Sequence, residues 1–242
     1  MNSPFPQDAD RATLIARVSM PGLGAVLALA TPEALYDLSG IAPTSADLLA
    51  MNDPAGLIVQ QNQQLPKLAD MQNVLENSTL DSPDLAKPYL LAPCDLQPIK
   101  AAGVTFVASM LERVIEEQAR GDASKAVAVR EKISKVIGDN LRAIVPGSDK
   151  AMRVKALLME MGLWSQYLEV GIGKDAEVFT KSQAMSAVGY GAQIGIHPKS
   201  HWNNPEPEVV LAVSPQGVVQ GVATNHCAPA WAFALDAALG EF

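Results

Sequence analysis
The chain has 242 residues, 48% of them hydrophobic, and 26 acidic against 18 basic side chains give a formal charge of −8. That length holds one large domain or a small one beside a medium one, and the composition is that of a packed protein rather than a disordered chain. The acidic balance, with no cluster of Lys and Arg, argues against a nucleic-acid partner, whose phosphates call for clustered positive charge.

The opening "MNSPFPQDADR" carries acids where a secretory leader needs bases, and the longest apolar runs, such as "GAVLALA", fall short of a membrane span. A soluble, cytoplasmic protein with no membrane partner is expected. Cys94 and Cys227 are too few for a disulfide framework and match no zinc spacing.

Residues 10–60 read as short strands and turns. "TLIARVSMPGLGAVLALAT" gives two apolar segments around the turn signal Pro21-Gly22-Leu23-Gly24, and "APTSADLLAMND" reads as a short capped helix. Residues 58–88 are polar and Pro-punctuated, which predicts helix pieces and connector. "YLLAPCDLQPI" resumes a strand-like run, and prolines 88, 93 and 98 mark a seam. From Val104 to Arg120 the apolar residues Val107, Leu111, Val114 and Ile115 recur at helical spacing. "ASKAVAVREKISKVIGDNL" and "SDKAMRVKALLMEMGLW" follow as amphipathic helices, the second capped by Ser148 or Asp149 and stopped at Gly162. Then "AEVFTKS", "GAQIGI", "PEVVLAVS" and "GVVQGVAT" are strand-like, with "SPQG" turning a hairpin. This β, α, β segregation predicts an α+β fold: a small N-terminal β-containing domain over 1–95, then a β-rich domain with several helices over 96–242.

The pattern with most chemical content is "PEPEVVLAV". In a strand, positions i and i+2 share a face, so Glu206 and Glu208 project together. Adjacent shielded carboxylates repel, and one loses its charge unless a cation intervenes. A hard divalent ion suits such oxygen ligands, and Pro205 and Pro207 stiffen the approach. The same pattern also occurs in solvated loops. His197 and His201 are four apart, but Pro198 breaks the helical face a zinc pair would use. "GIGK" at 171–174 lacks the phosphate-loop spacing. In "AGVTFVASMLERVIEEQ", Ser109, Glu112 and Glu116 share one side of a helix, a pattern that ordinary solvated faces also show.

Taken together, these motifs resemble the fumarylacetoacetate hydrolase family. "PEPEVVLAV" looks like its metal-binding strand, "AEVFTKS" like the preceding strand ending in a lysine (Lys181), and "AGVTFVASMLER" like its catalytic lid. Ser109 stands where many hydrolase members carry a histidine paired with a glutamate, here Glu112. A lid without histidine, together with Trp202 and the form "PEPE", is more similar to the branch that dehydrates 2-keto-3-deoxy sugar acids. "ARVSMPGLGAVLAL" and "APTSADLLA" resemble that branch's small N-terminal domain.

The resemblance implies a Mg²⁺ (or Mn²⁺) ion on Glu206 and Glu208, a 2-keto acid substrate and a homodimer. Dehydration would run through a metal-stabilised enolate, with Glu112 removing a C3 proton from a pKa raised by partial burial. Ser109 and Lys181 would assist, and Arg113 and Trp202 would bind substrate. C–C hydrolysis of an acylpyruvate or β-diketone is the alternative in the same family, and a non-catalytic truncated member is the alternative outside catalysis. After the hairpin the chain departs from the family: Asn225, His226 and Cys227 occupy the region of the expected third metal ligand, an aspartate. The tail "APAWAFALDAALGEF" resembles nothing there, so the C-terminal part reads as truncated or altered.

Overall fold
The computed structural model describes residues 5–7, 9, 11–102, 112, 114–116, 119, 122–137, 144–164, 166–174, 178–199, 207–226 and 233–235. Over these the chain is α+β, as its segregated pattern predicts. It divides into two compact units, one formed by 1–98 with 182–242 and the other by 99–181. The chain therefore crosses at Pro98/Ile99 and again at Lys181/Ser182. The expected division keeps 182–242 with the helical middle. The structure instead groups those strands with the N-terminal sheet, because they pair with it.

The first unit opens with β1 (Thr13–Met20), β2 (Gly24–Ala30) and β3 (Ala34–Asp37), followed by α1 (Ser45–Leu49) and α2 (Pro54–Gln61). A 3₁₀ turn, β4 (Lys67–Asp70), α3 (Met71–Ser78) and β5 (Tyr89–Leu91) complete its first stretch. The second unit holds β6 (Ile99–Ala102), α4 (Ala123–Ile137), α5 (Asp149–Glu160), α6 (Gln166–Ile172) and β7 (Val178–Ser182), whose last residue already counts with the first unit. Back in the first unit come β8 (Pro207–Val213), β9 (Val219–His226) and β10 (Phe233–Leu235).

The sheet of the first unit runs β4-β3-β2-β1-β10-β9-β8, with β5 also on β1. Strand β1 is central and divides one edge between two partners. Thr13–Ile15 face Leu235–Phe233 of β10, while Arg17–Ser19 face Leu91–Tyr89 of β5. Its other edge takes all of β2 through a turn in which Gly22 and Gly24 have φ of 77° and 88°. Alternate residues of β1 feed two cores, as the pleat requires. Ile15 joins Leu27, Leu38, Leu48 and Ile58 under α1 and α2, while Leu14, Ala16 and Val18 join Leu35, Met71 and Val74 under α3.

Local chemistry explains the helix ends. The Thr44 hydroxyl accepts the Asp47 N–H at 3.0 Å, and the Asp53 carboxylate accepts the Gly56 N–H at 2.9 Å with Pro54 opening α2. Ser148 caps α5 through the Ala151 N–H at 3.2 Å, and Gly162, at φ 67°, ends it. The hairpin turn after β8 uses Gly217 at φ 80°, with the Ser214 N–H donating to the Val218 carbonyl at 2.8 Å.

Two expectations fail locally. "GAQIGI" is not a strand: residues 191–196 form turn and irregular backbone, beginning at Gly191 with φ 78°. A Cβ on Gly191 would lie 2.2 Å from the Ser78 carbonyl oxygen, and one on Gly189 2.1 Å from that of Leu90. These glycines serve close backbone approach to α3 and β5 rather than pairing. Strand β8, whose apolar run looks buried in the sequence, is buried on one side only. Ala212 packs under α1 and α2 with Val210 beside it, whereas Val209, Leu211 and Val213 are exposed.

One polar junction ties the first unit together. Arg17 is 8% exposed and Asp95 3%, and Arg17 Nε lies 3.3 Å from Asp95 Oδ2. Arg17 Nη1 donates to the Ala92 and Cys94 carbonyls at 3.1 and 3.0 Å. Asp95 accepts the N–H groups of Ser45, Ala46 and Leu96 at 2.8, 3.1 and 2.7 Å, so it satisfies orphan donors of α1 from fifty residues away.

Removing one partner of a buried ion pair leaves an uncompensated charge. Asp95→Ala is therefore expected to cost about 3–5 kcal/mol, against about 1 kcal/mol for the local cap variant Thr44→Ala. Urea unfolding of both variants checks this, and equal losses would refute the ranking. For the glycines, Gly22→Ala meets no atom within 4 Å and should cost about 1–2 kcal/mol from its left-handed backbone alone. Gly191→Ala adds a carbonyl clash and should cost measurably more in the same experiment.

Candidate functional site
Strand β8 carries Glu208, one of the residues expected to hold a metal, and pairs with β9. The antiparallel register sets Glu208 opposite Asn225 and Pro207 opposite His226. By the pleat, position 208 falls on the same side of the sheet as 210 and 212, the side that covers the α1–α2 core. Glu206, immediately before the strand, lies outside the described residues, as does Trp202. Among the described residues no group of three or more His, Cys, Asp and Glu could hold a metal ion, and Glu206 is not among those residues.

The hairpin that carries these positions is well anchored at its other end. Ala212 is 6% exposed in the core, and Gln220 Nε2 of β9 donates to the Met51 carbonyl at 3.1 Å. The Ser214 side chain accepts the Val218 N–H at 3.2 Å across the turn.

In the second unit, the described residues of the 111–120 segment are helical, with Val114, Ile115 and Ala119 buried. Ser109 and Arg113 fall outside the described residues. Glu112 is on the exposed side, where Arg130 of α4 holds it in a two-pronged pair. Arg130 Nε donates to Oε1 at 3.2 Å and Nη2 to Oε2. This contradicts the raised pKa expected of a base. The Arg130 hydrogen bonds, with the guanidinium charge behind them, outweigh the small desolvation and hold the Glu112 carboxyl below its ordinary value. Local spacing could not have disclosed the partner, which lies eighteen residues away.

Lys181 is exposed on β7, its Nζ 6.0 Å from the centre of the Phe179 ring two residues back on the same strand. Beside it Lys100 of β6 donates to the Thr180 hydroxyl at 2.6 Å. The remaining sequence leads resolve structurally. His197 is exposed, and its Nδ1 accepts the Lys199 N–H at 3.2 Å; His201 is outside the described residues. Glycine 173 of "GIGK" closes α6 by donating to the Glu169 carbonyl at 2.8 Å. Cys94 is a free thiol whose pKa is pushed up by burial.

No family model, curated protein or solved structure matches the chain. No described helix is long and apolar enough to cross a membrane.

The Glu112–Arg130 pair makes a directional prediction. Arg130→Gln should move the Glu112 pKa up toward the ordinary carboxylate value, read by carbon-detected NMR titration of the side chain. Because the folded pKa is the depressed one, the pair's contribution to stability is present above the unfolded carboxylate pKa and is lost as pH falls through the folded value. Both side chains are about half exposed (51% and 49%), so the stability change should be small and should shrink further with salt. An unchanged Glu112 titration would overturn the assignment of Arg130 as the cause.

Proposed function
We propose that the chain is a divalent-metal-dependent lyase on a 2-keto acid, dehydrating a 2-keto-3-deoxy sugar acid, in the manner of the fumarylacetoacetate hydrolase family that its motifs resemble. The observation that carries this reading is the register of the β8–β9 hairpin, with Glu208 opposite Asn225 one position from Pro207 opposite His226. The resemblance places the missing third ligand in that stretch of β9, and an amide oxygen can fill a carboxylate's place around a hard cation at lower affinity.

Glu206 and Glu208 would hold the ion, with Asn225 as the third protein donor. The bound ion supplies Lewis acidity, polarising the keto group and stabilising the negative charge that C3 deprotonation creates. The family resemblance would assign the base to Glu112, with Lys181 and Ser109 assisting and Arg113 and Trp202 orienting the substrate. The pair with Arg130 sets a condition on that role. A carboxylate with a depressed pKa is a weak base, so Glu112 has to exchange Arg130 for a less cationic setting when substrate is bound.

That same pair favours a second reading, a non-catalytic protein with a related hairpin, in which Glu112 serves only its exposed ion pair. Assay of 2-keto-3-deoxypentonates decides between them. The lyase is expected to lose turnover in EDTA, to recover it with Mg²⁺ or Mn²⁺, and to lose at least about a hundredfold in kcat/KM on Glu208→Gln, which is about 2.7 kcal/mol of barrier. Metal-independent turnover, or turnover indifferent to Glu208→Gln, would refute the lyase reading. Absence of turnover together with no calorimetric Mn²⁺ binding would establish the second reading.

A further inference from the structure
The first unit contains a groove of about 400 Å³ that the lyase reading does not use. It runs between β5, the end of α3 and the 185–193 segment, with Tyr89, Leu91, Leu80, Val188 and Tyr190 among its walls. Arg17, the buried residue of the central strand, lines it too. That size is ordinary for a small-molecule site, and so is a mostly apolar wall with one convergent polar group.

The guanidinium accounts for its donors unevenly. A guanidinium has five N–H groups. Nε faces Asp95, and Nη1 serves the Ala92 and Cys94 carbonyls. Nη2 has no acceptor among the described residues, although more than nine-tenths of the residue is buried. A buried donor without a partner keeps its desolvation cost until something fills the position.

Charge indicates what fills it. Asp95 already balances Arg17, and the Asp81 carboxylate, which has no ion-pair partner among the described residues, also lines the groove. A second anion would bring net negative charge into a low-dielectric site; a neutral oxygen would not. We propose that the groove binds a small apolar molecule carrying a neutral carbonyl oxygen, which accepts from the Nη2 of Arg17, a donor with no acceptor among the described residues. The tyrosines flank an apolar body, and Gly189 and Gly191 keep the 185–193 segment close enough to form the wall. This goes beyond the lyase reading and does not rest on it.

Phenylacetamide and phenylacetate are matched probes, equal in shape and differing in charge. In protein-observed NMR, phenylacetamide is expected to bind saturably with a millimolar Kd, shifting the Arg17 Nε–H and the Gly189 and Gly191 amides, while phenylacetate binds at least about tenfold more weakly. Ala25→Trp fills the groove from an exposed position on β2 without touching the Arg17–Asp95 pair, and should abolish binding. Arg17→Lys keeps a positive charge beside Asp95 but removes Nη2, together with the Nη1 that serves the Ala92 and Cys94 carbonyls, and should weaken phenylacetamide at least about tenfold. If that variant fails to fold, Ala25→Trp alone decides. No saturable shift at tens of millimolar, phenylacetate binding as tightly as the amide, or binding unaffected by Ala25→Trp would each overturn the proposal.

Discussion

The first unit depends on a charge placed where a charge is costly. Arg17 sits in the middle of the central strand, between the core residues Ile15 and Val18, and is 8% exposed. It is tolerable there because Asp95 neutralises it and two main-chain carbonyls take its Nη1 donors. Asp95 in turn is tolerable because it accepts three main-chain N–H groups, two of them from the start of α1. Its own carbonyl accepts the Met185 N–H at 2.9 Å. A single junction thus fixes the angle of α1 on the sheet, the path of the chain after β5 and the seat of the returning segment. A leucine at 17 would bury as much area without these directions.

The parts of this architecture that were legible in the sequence share a property: their determinants are local. The β1–β2 turn is written in Pro21-Gly22-Leu23-Gly24, the α1 cap in Thr44, and the α5 ends in Ser148 and Gly162. In each case a side chain or a left-handed glycine acts within four residues. The segments that escaped are set at long range. Strand β4, "KLAD", shows no usable alternation and becomes a strand because β3 offers it an edge. "GAQIGI" looks extended, yet its first glycine is committed to approaching Ser78, more than a hundred positions earlier. The domain seam behaves likewise, since composition marks a boundary near the prolines but cannot tell which sheet the strands beyond residue 182 will join.

The candidate site divides along the same line. The hairpin from 207 to 226 was readable from its two apolar runs and its Pro-Gln-Gly turn, but the residue opposite Glu208 was not: the register shifts between Ala212 and Val213, which moves the partner of Glu208 from Thr224 to Asn225. The environment of Glu112 was not readable, because the residue that sets its acidity comes from a different helix. A helical face of Ser, Glu and Glu specifies only that the side is polar. Whether such a carboxylate is a base or half of an exposed ion pair is decided by Arg130. Strand β8 gives the opposite lesson. Its unbroken run of apolar residues suggests burial on both sides, while only the Val210 and Ala212 side meets a core.

That one-sided burial constrains any chemistry at the hairpin's open end. Side chains at 210 and 212 anchor the strand, and the Gln220–Met51 bond anchors its partner, so positions 208 and 225 are carried on backbone with little freedom to separate. Pro207 has no N–H to donate beside Glu208. Under the proposed lyase reading, Glu206 and Glu208 would share a dication at this end of the hairpin, since residues 202–213 include no basic side chain to balance two carboxylates.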